Sequence, residues 1–112
     1  MIIRVWKTKV HAARVDELEQ FARDHSLPMF HEQEGCLGVL FAREGADVVT
    51  VSLWEDMEAI DRLATSTSYQ ATVRQIEGTG LLEDDQEVSL HSVYGGYLNL
   101  REVEEALSFE AR

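Results

Sequence analysis

The sequence is short of residues that would staple or punctuate a fold: its 112 residues include one cysteine and one proline. Cys36 has no partner within the chain, which excludes an intramolecular disulfide and makes a reducing compartment the simpler setting. A lone Pro28 in a chain that is 45% hydrophobic argues against a linker-rich or disordered segment. Basic residues are scarce as well, with ten Lys and Arg against 21 Asp and Glu, a formal net charge of -11. Such a charge repels phosphate backbones and anionic lipid, so neither nucleic acid nor a membrane is an expected partner. No apolar run approaches the roughly 20 residues that span a bilayer, and Arg4 follows Ile2 and Ile3 too soon for a signal peptide. These absences predict a cytoplasmic protein.

Ready-made chemical motifs are missing too. His25 and His31 are six positions apart rather than the three or four that share a helix face, and Cys36 stands alone, so no metal is expected. "GTG" at 78–80 follows a helix instead of opening one, and no Walker sequence or nucleophile elbow occurs. "EDDQE" at 83–87 is too short for a calcium loop and reads as solvated.

What is present is a regular alternation of strand and helix signals in one domain's length of chain. "IIRVWKTKV" at 2–10 is β-branched and aromatic, a first strand. In "AARVDELEQFARDH" Val15, Leu18, Ala22 and His25 fall at helical spacing, a first helix that Ser26, Leu27 and Pro28 should interrupt. Gly35 releases the chain into "CLGVLFAR", and a compact turn at 44–47 leads to "VVTVSLW", so strands two and three form a hairpin. Asp56 caps a helix carrying Met57, Ile60, Leu63 and Ala64, a Thr/Ser cluster at 65–68 breaks it, and Tyr69, Val73 and Ile76 restart a stripe that Gly78 and Gly80 end. "VSLHSVY" at 88–94 is strand four.

That order predicts an α+β, ferredoxin-like split βαβ fold: four antiparallel strands with the helices on one face. Residues 1–96 form the domain, and 97–112 a helical tail whose apolar stripe needs a surface to dock on. Several strands carry apolar residues on both faces, such as Val49, Val51 and Leu53 against Val48 and Trp54. Helices cover only one face, so the other is expected to meet a second subunit in a homodimer.

With "IRVWKTKV", "LPMFHEQEGCLGV", "VVTVSLWEDMEAIDRLATSTSYQ" and "LHSVYG" in this order, the chain resembles the antibiotic biosynthesis monooxygenase superfamily of dimeric α+β barrels. The resemblance spans about residues 2–94. It implies a pocket between helices and sheet, lined by the strand-three Trp54, and cofactor-independent oxygenase, quinol oxygenase or haem-degrading chemistry. The haem-degrading branch uses an Asn on strand one and a His on the helix after the Trp. Here strand one offers Trp6, Lys7 and Thr8, and Val73 stands where the His would be, so no haem and no other cofactor is expected. The polyketide-oxygenase branch has an Asn in strand three, where this chain offers Thr50.

The expected function is then a cofactor-independent monooxygenase for a small electron-rich aromatic molecule, a phenol, quinol or anthrone. The alternative is a non-catalytic, dimeric ligand-binding or stress-related protein of the same fold. Trp54 is a core anchor or a pocket wall, and Tyr69 a packing residue or a donor to a ligand oxygen. His25 and His91 are satisfied histidines or the general base, since an imidazole titrates near neutral pH. Arg74 lies off the apolar stripe, as a solvated residue or as the partner of an enolate or phenolate oxygen. His11 and His31 read as solvated.

Overall fold

The structure, a computed structural model, describes residues 1–83 and 85–107. Four strands, β1 (Ile2–Lys9), β2 (Cys36–Glu44), β3 (Asp47–Trp54) and β4 (Glu87–Ser92), form one sheet in the order β2-β3-β1-β4. Every pairing is antiparallel, so the α+β ferredoxin-like prediction is correct. The β2–β3 hairpin closes through Gly45 and Ala46, with Gly45 at φ 59°.

The first helical stretch does not break at Pro28. A 3₁₀ turn (Ala12–Arg14) leads into α1 (Val15–Phe21), a π-helical turn (Ala22–Ser26) follows, and α2 (Leu27–Glu32) continues from it. Pro28 falls in the first turn of α2, the part of a helix that best tolerates a missing N–H. The wider π turn before it gives the proline ring room that a regular α-turn would deny.

The second helical stretch follows the reading more closely. Asp56 caps α3 (Met57–Thr65), its Oδ1 accepting from the Ala59 N–H at 2.9 Å. Ser66 ends α3 and caps α4 (Thr67–Thr79), its Oγ accepting from the Tyr69 N–H at 3.3 Å. Gly78 stays inside α4; the stop is Gly80, left-handed at φ 70°. A short α5 (Leu100–Ala106), capped by Asn99, buries none of its residues, and positions 108–112 of the expected tail lie outside the described residues.

Register and burial sort the sheet into two faces. Ile2, Arg4, Trp6 and Thr8 of β1 share a face with Val48, Thr50, Ser52 and Trp54 of β3, and nearly all of these are buried. The opposite face carries Ile3, Val5, Val49, Val51 and Leu53, half-buried, and the exposed Leu40. Under the helices the apolar side chains form two separate clusters. One holds Ile2, Met29, Phe30, Trp54, Ile60 and Leu63; the other holds Val10, Leu18, Val48 and Leu81.

Gly35 shows how tightly the first cluster is closed. It sits at φ 84°, and a Cβ there would come 2.6 Å from the Cβ of Ala59, itself fully buried. Gly35→Ala is therefore expected to destabilise the fold by about 1–3 kcal/mol through crowding and left-handed strain, read as a lower urea midpoint. Gly45→Ala, with nothing within 4 Å of its would-be Cβ, meets only the backbone strain and should cost less.

Candidate functional site

Between the two clusters lies a cavity of about 450 Å³, within the range of small-molecule sites. Its floor is the sheet, where Arg4, Trp6, Phe41, Val48 and Thr50 face upward. Leu18, Phe21, Ala22, Ser26, Met29 and Phe30 from the first helical stretch form one wall. Tyr69, Thr72, Val73 and Ile76 from α4 form the other, which explains why α4 is capped and amphipathic yet has no fully buried residue.

Arg4 dominates the polar chemistry. Its residue is 8% exposed, its Nη2 donates to the Tyr69 hydroxyl oxygen at 3.0 Å, and its guanidinium carbon lies 5.7 Å from the Tyr69 ring centroid. Among the described residues no carboxylate pairs with it. Burying an ion without a counter-charge costs several kcal/mol, so this guanidinium is offset only by Tyr69, by the ring face and by whatever enters the cavity. Tyr69 accepts from Arg4, which leaves its own O–H to donate elsewhere.

The other polar groups are mostly matched. Glu19 is bound to Arg43, whose Nε donates to its Oε2 at 2.9 Å. Trp6 Nε1 donates to Gln86 Oε1 at 2.9 Å. Thr50 is 7% exposed, and its hydroxyl has no hydrogen-bond partner among the described residues. The cavity thus presents a largely apolar slot with one uncompensated cation and the hydroxyls of Ser26, Thr50, Tyr69 and Thr72, of which Thr72 is spent on the Ser68 carbonyl at 2.9 Å.

Of the five residues singled out in the sequence, only Tyr69 lines this cavity. Trp54 does not: it is 0% exposed inside the first cluster, and its Nε1 donates to Ser52 Oγ at 2.8 Å. Phe30 lies between, lining the cavity and meeting Trp54 edge-on with centroids 6.4 Å apart. His25 is exposed on a shallow depression bordered by Arg14 and Asp24, its ring tilted by 40° against Phe21 with centroids 4.9 Å apart. The π turn underwinds the helix, so the inward place one turn beyond Ala22 goes to Ser26 instead. His91 pairs in register with Ile3 on the helix-free face, exposed and 3.1 Å from Ser89 Oγ. Arg74 is exposed on α4 and is not among the lining side chains.

The sequence reading gave Arg4 no place in a site, and it named Trp6 and Thr50 only as residues standing where branches of the family carry an Asn. The signal was parity: along β1 and the residue after it the even positions run Ile2, Arg4, Trp6, Thr8, Val10, and both ends of that series are core. A charge inside such a series points inward.

A fold of this kind, with a cavity between its helices and its sheet, agrees with the sequence comparison. The sequence model described as antibiotic biosynthesis monooxygenase matches residues 1–75. The chain belongs to the antibiotic biosynthesis monooxygenase family. Membership supports a monooxygenase-type function in general terms. None of the curated proteins matches the chain. Among solved structures it is similar to an antibiotic biosynthesis monooxygenase at 15% identity, covering 85% of this chain and 100% of the other, with a TM-score of 0.70. It is similar to Rv0793 of Mycobacterium tuberculosis at 14% identity, covering 85% and 96%, with a TM-score of 0.69. SnoaB, a cofactor-independent oxygenase of Streptomyces nogalater, is 20% identical, covering 85% and 94%, with a TM-score of 0.68. At these identities the likeness carries the fold.

The family's haem chemistry does not fit these residues. Val73 lines the cavity where an α4 histidine would be needed, and no histidine is among the lining side chains. Among the described residues no cluster of His, Cys, Asp and Glu could hold a metal ion, and no helix is long and apolar enough to cross a membrane. Cys36 is half-buried, and burial pushes its thiol pKa up, away from thiolate chemistry.

The core placement of Trp54 has a direct consequence. Trp54→Phe should lower stability by about 1–3 kcal/mol, since it opens space and leaves the buried Ser52 hydroxyl with only its long bond to the Arg4 carbonyl at 3.5 Å. Affinity for a planar aromatic such as 2-naphthol, measured by calorimetry where both proteins are folded, should stay within about twofold. A large loss of affinity would place Trp54 in the site after all.

Proposed function

We propose that the chain is a cofactor-independent monooxygenase that oxidises a small electron-rich aromatic, a phenol, quinol or anthrone, in this cavity. The observation that carries the reading is the buried Arg4 bonded to the half-buried Tyr69 in an otherwise largely apolar slot. A guanidinium in a low-dielectric site lowers the pKa of a substrate hydroxyl or activated C–H and holds the resulting oxyanion. No dedicated histidine is then needed, and the proton can leave to water. The carbanion form of an anthrone supplies the electrons to O₂, forming a C–O bond and, after protonation, a hydroperoxide. Loss of water across its C–H and O–O bonds gives the ketone, so CH₂ and O₂ become C=O and H₂O. SnoaB, similar in fold, is a cofactor-independent oxygenase, which supports the reading.

The placement of His25 and His91 outside the cavity favours a second reading, a ligand-binding protein without turnover. The two differ in oxygen uptake. With a hydroxylated anthrone the oxygenase should consume one O₂ per product above the spontaneous rate. Tyr69→Phe should lower kcat on the order of a hundredfold, the effect of removing one oxyanion donor. Binding without uptake would leave the non-catalytic reading.

The helix-free face, with Ile3, Val5, Leu40, Val51 and Leu53, supports a homodimer. Sedimentation at micromolar concentration should give about twice the 12.7 kDa chain mass, and Val51→Lys should shift it to the monomer. A wild-type monomer would contradict the dimer.

A further inference from the structure

We infer that the cavity takes a planar aromatic carboxylate: a ligand that arrives already carrying a negative charge, which Arg4 and Tyr69 bind together. The inference rests on reading this cavity as the substrate site, and it narrows the substrate class within that reading.

Three observations carry it. Arg4 is more than nine-tenths buried, lines the cavity, and has no carboxylate partner among the described residues. One of its five N–H groups goes to Tyr69, which leaves most of a planar donor fork unspent. Thr50, equally buried on the neighbouring strand, adds a hydroxyl with no partner among the described residues. A phenol supplies a counter-charge to the guanidinium only once it has ionised, whereas a carboxylate brings one on arrival. At neutral pH an unperturbed phenol is protonated, as its tyrosine analogue is, whereas a carboxylate is ionised.

Geometry selects a carboxylate among anions. A guanidinium fork matches two oxygens of a carboxylate or of a phosphate, and the Tyr69 hydroxyl, 3.0 Å from Nη2, offers a further donor beside it. A phosphate has further oxygens to satisfy around its tetrahedron, and much of the remaining wall is built from Phe21, Met29, Phe30, Phe41, Val73 and Ile76. The second cation at the cavity, Arg43, is already satisfied by Glu19 at 2.9 Å, so it does not compete for the ligand. The chain's net charge of -11 opposes anions from afar. Surface charges more than about 8–10 Å away are screened at physiological salt, and the buried guanidinium then decides.

The test uses two probes with the same ring system, 2-naphthoate and the neutral 2-naphthalenemethanol, titrated calorimetrically into the full chain near pH 7, with inorganic phosphate as competitor. The naphthoate is expected to bind at least tenfold tighter, and phosphate in equal concentration should not displace it. Arg4→Met should bring the ratio near one without abolishing binding of the alcohol, and Arg4→Lys should keep part of the preference. Equal or tighter binding of the alcohol to wild type, an unchanged ratio in a folded Arg4→Met, displacement by phosphate, or no binding of either probe would each overturn the inference. The wild-type comparison needs no variant to fold. Because binding is read without turnover, a tenfold preference with no oxygen uptake would sink the oxygenase reading alone, and uptake with no preference would sink only this one.

Discussion

A guanidinium on the covered face of a central strand shapes much of this molecule. β1 lies between β3 and β4, and its even side chains sit beneath the helices. Apolar side chains cannot be packed over Arg4 without stranding its charge, so the core is divided into two clusters with a cavity between them. Tyr69 accepts one hydrogen bond from Arg4 and offers its ring, which ties α4 to the sheet across that space.

The walls of the cavity follow from small departures from regular helix. The π turn at Ala22–Ser26 lets the chain pass Pro28 without ending, and it turns Ser26 inward while His25 goes to solvent. Ser66 resets the helix axis between α3 and α4. As a result α3 closes the Trp54 cluster with Ile60 and Leu63, whereas α4 presents Tyr69, Val73 and Ile76 to the open space. One element is core and its continuation is wall.

Much of this was legible in the sequence, and the failures share a cause. The strand order, the hairpin, the Asp56 cap, the break near Ser66 and the stop at Gly80 all rest on local chemistry that a short window contains. The site depends on phase instead. Trp54 was a candidate wall because it ends a strand, yet α2 and α3 close over that end of the sheet. His25 was assigned to the apolar face by a 3.6-residue count that a π turn alters. Tyr69 was found because the Ser66 cap keeps its stripe in regular phase. Arg4 was passed over because a charge in a β-branched run reads as strand edge unless its parity with Ile2 and Val10 is followed.

The central claim is that the cavity is a ligand site organised by Arg4. A crystal structure of the protein soaked with 3-hydroxy-2-naphthoate tests it most directly. The account predicts the ring in the slot between Phe30 and Val73, with a carboxylate oxygen within about 3 Å of the Arg4 guanidinium and the other near the Tyr69 hydroxyl. A ligand bound elsewhere, or one seated in the cavity with its carboxylate turned away from Arg4, would contradict it.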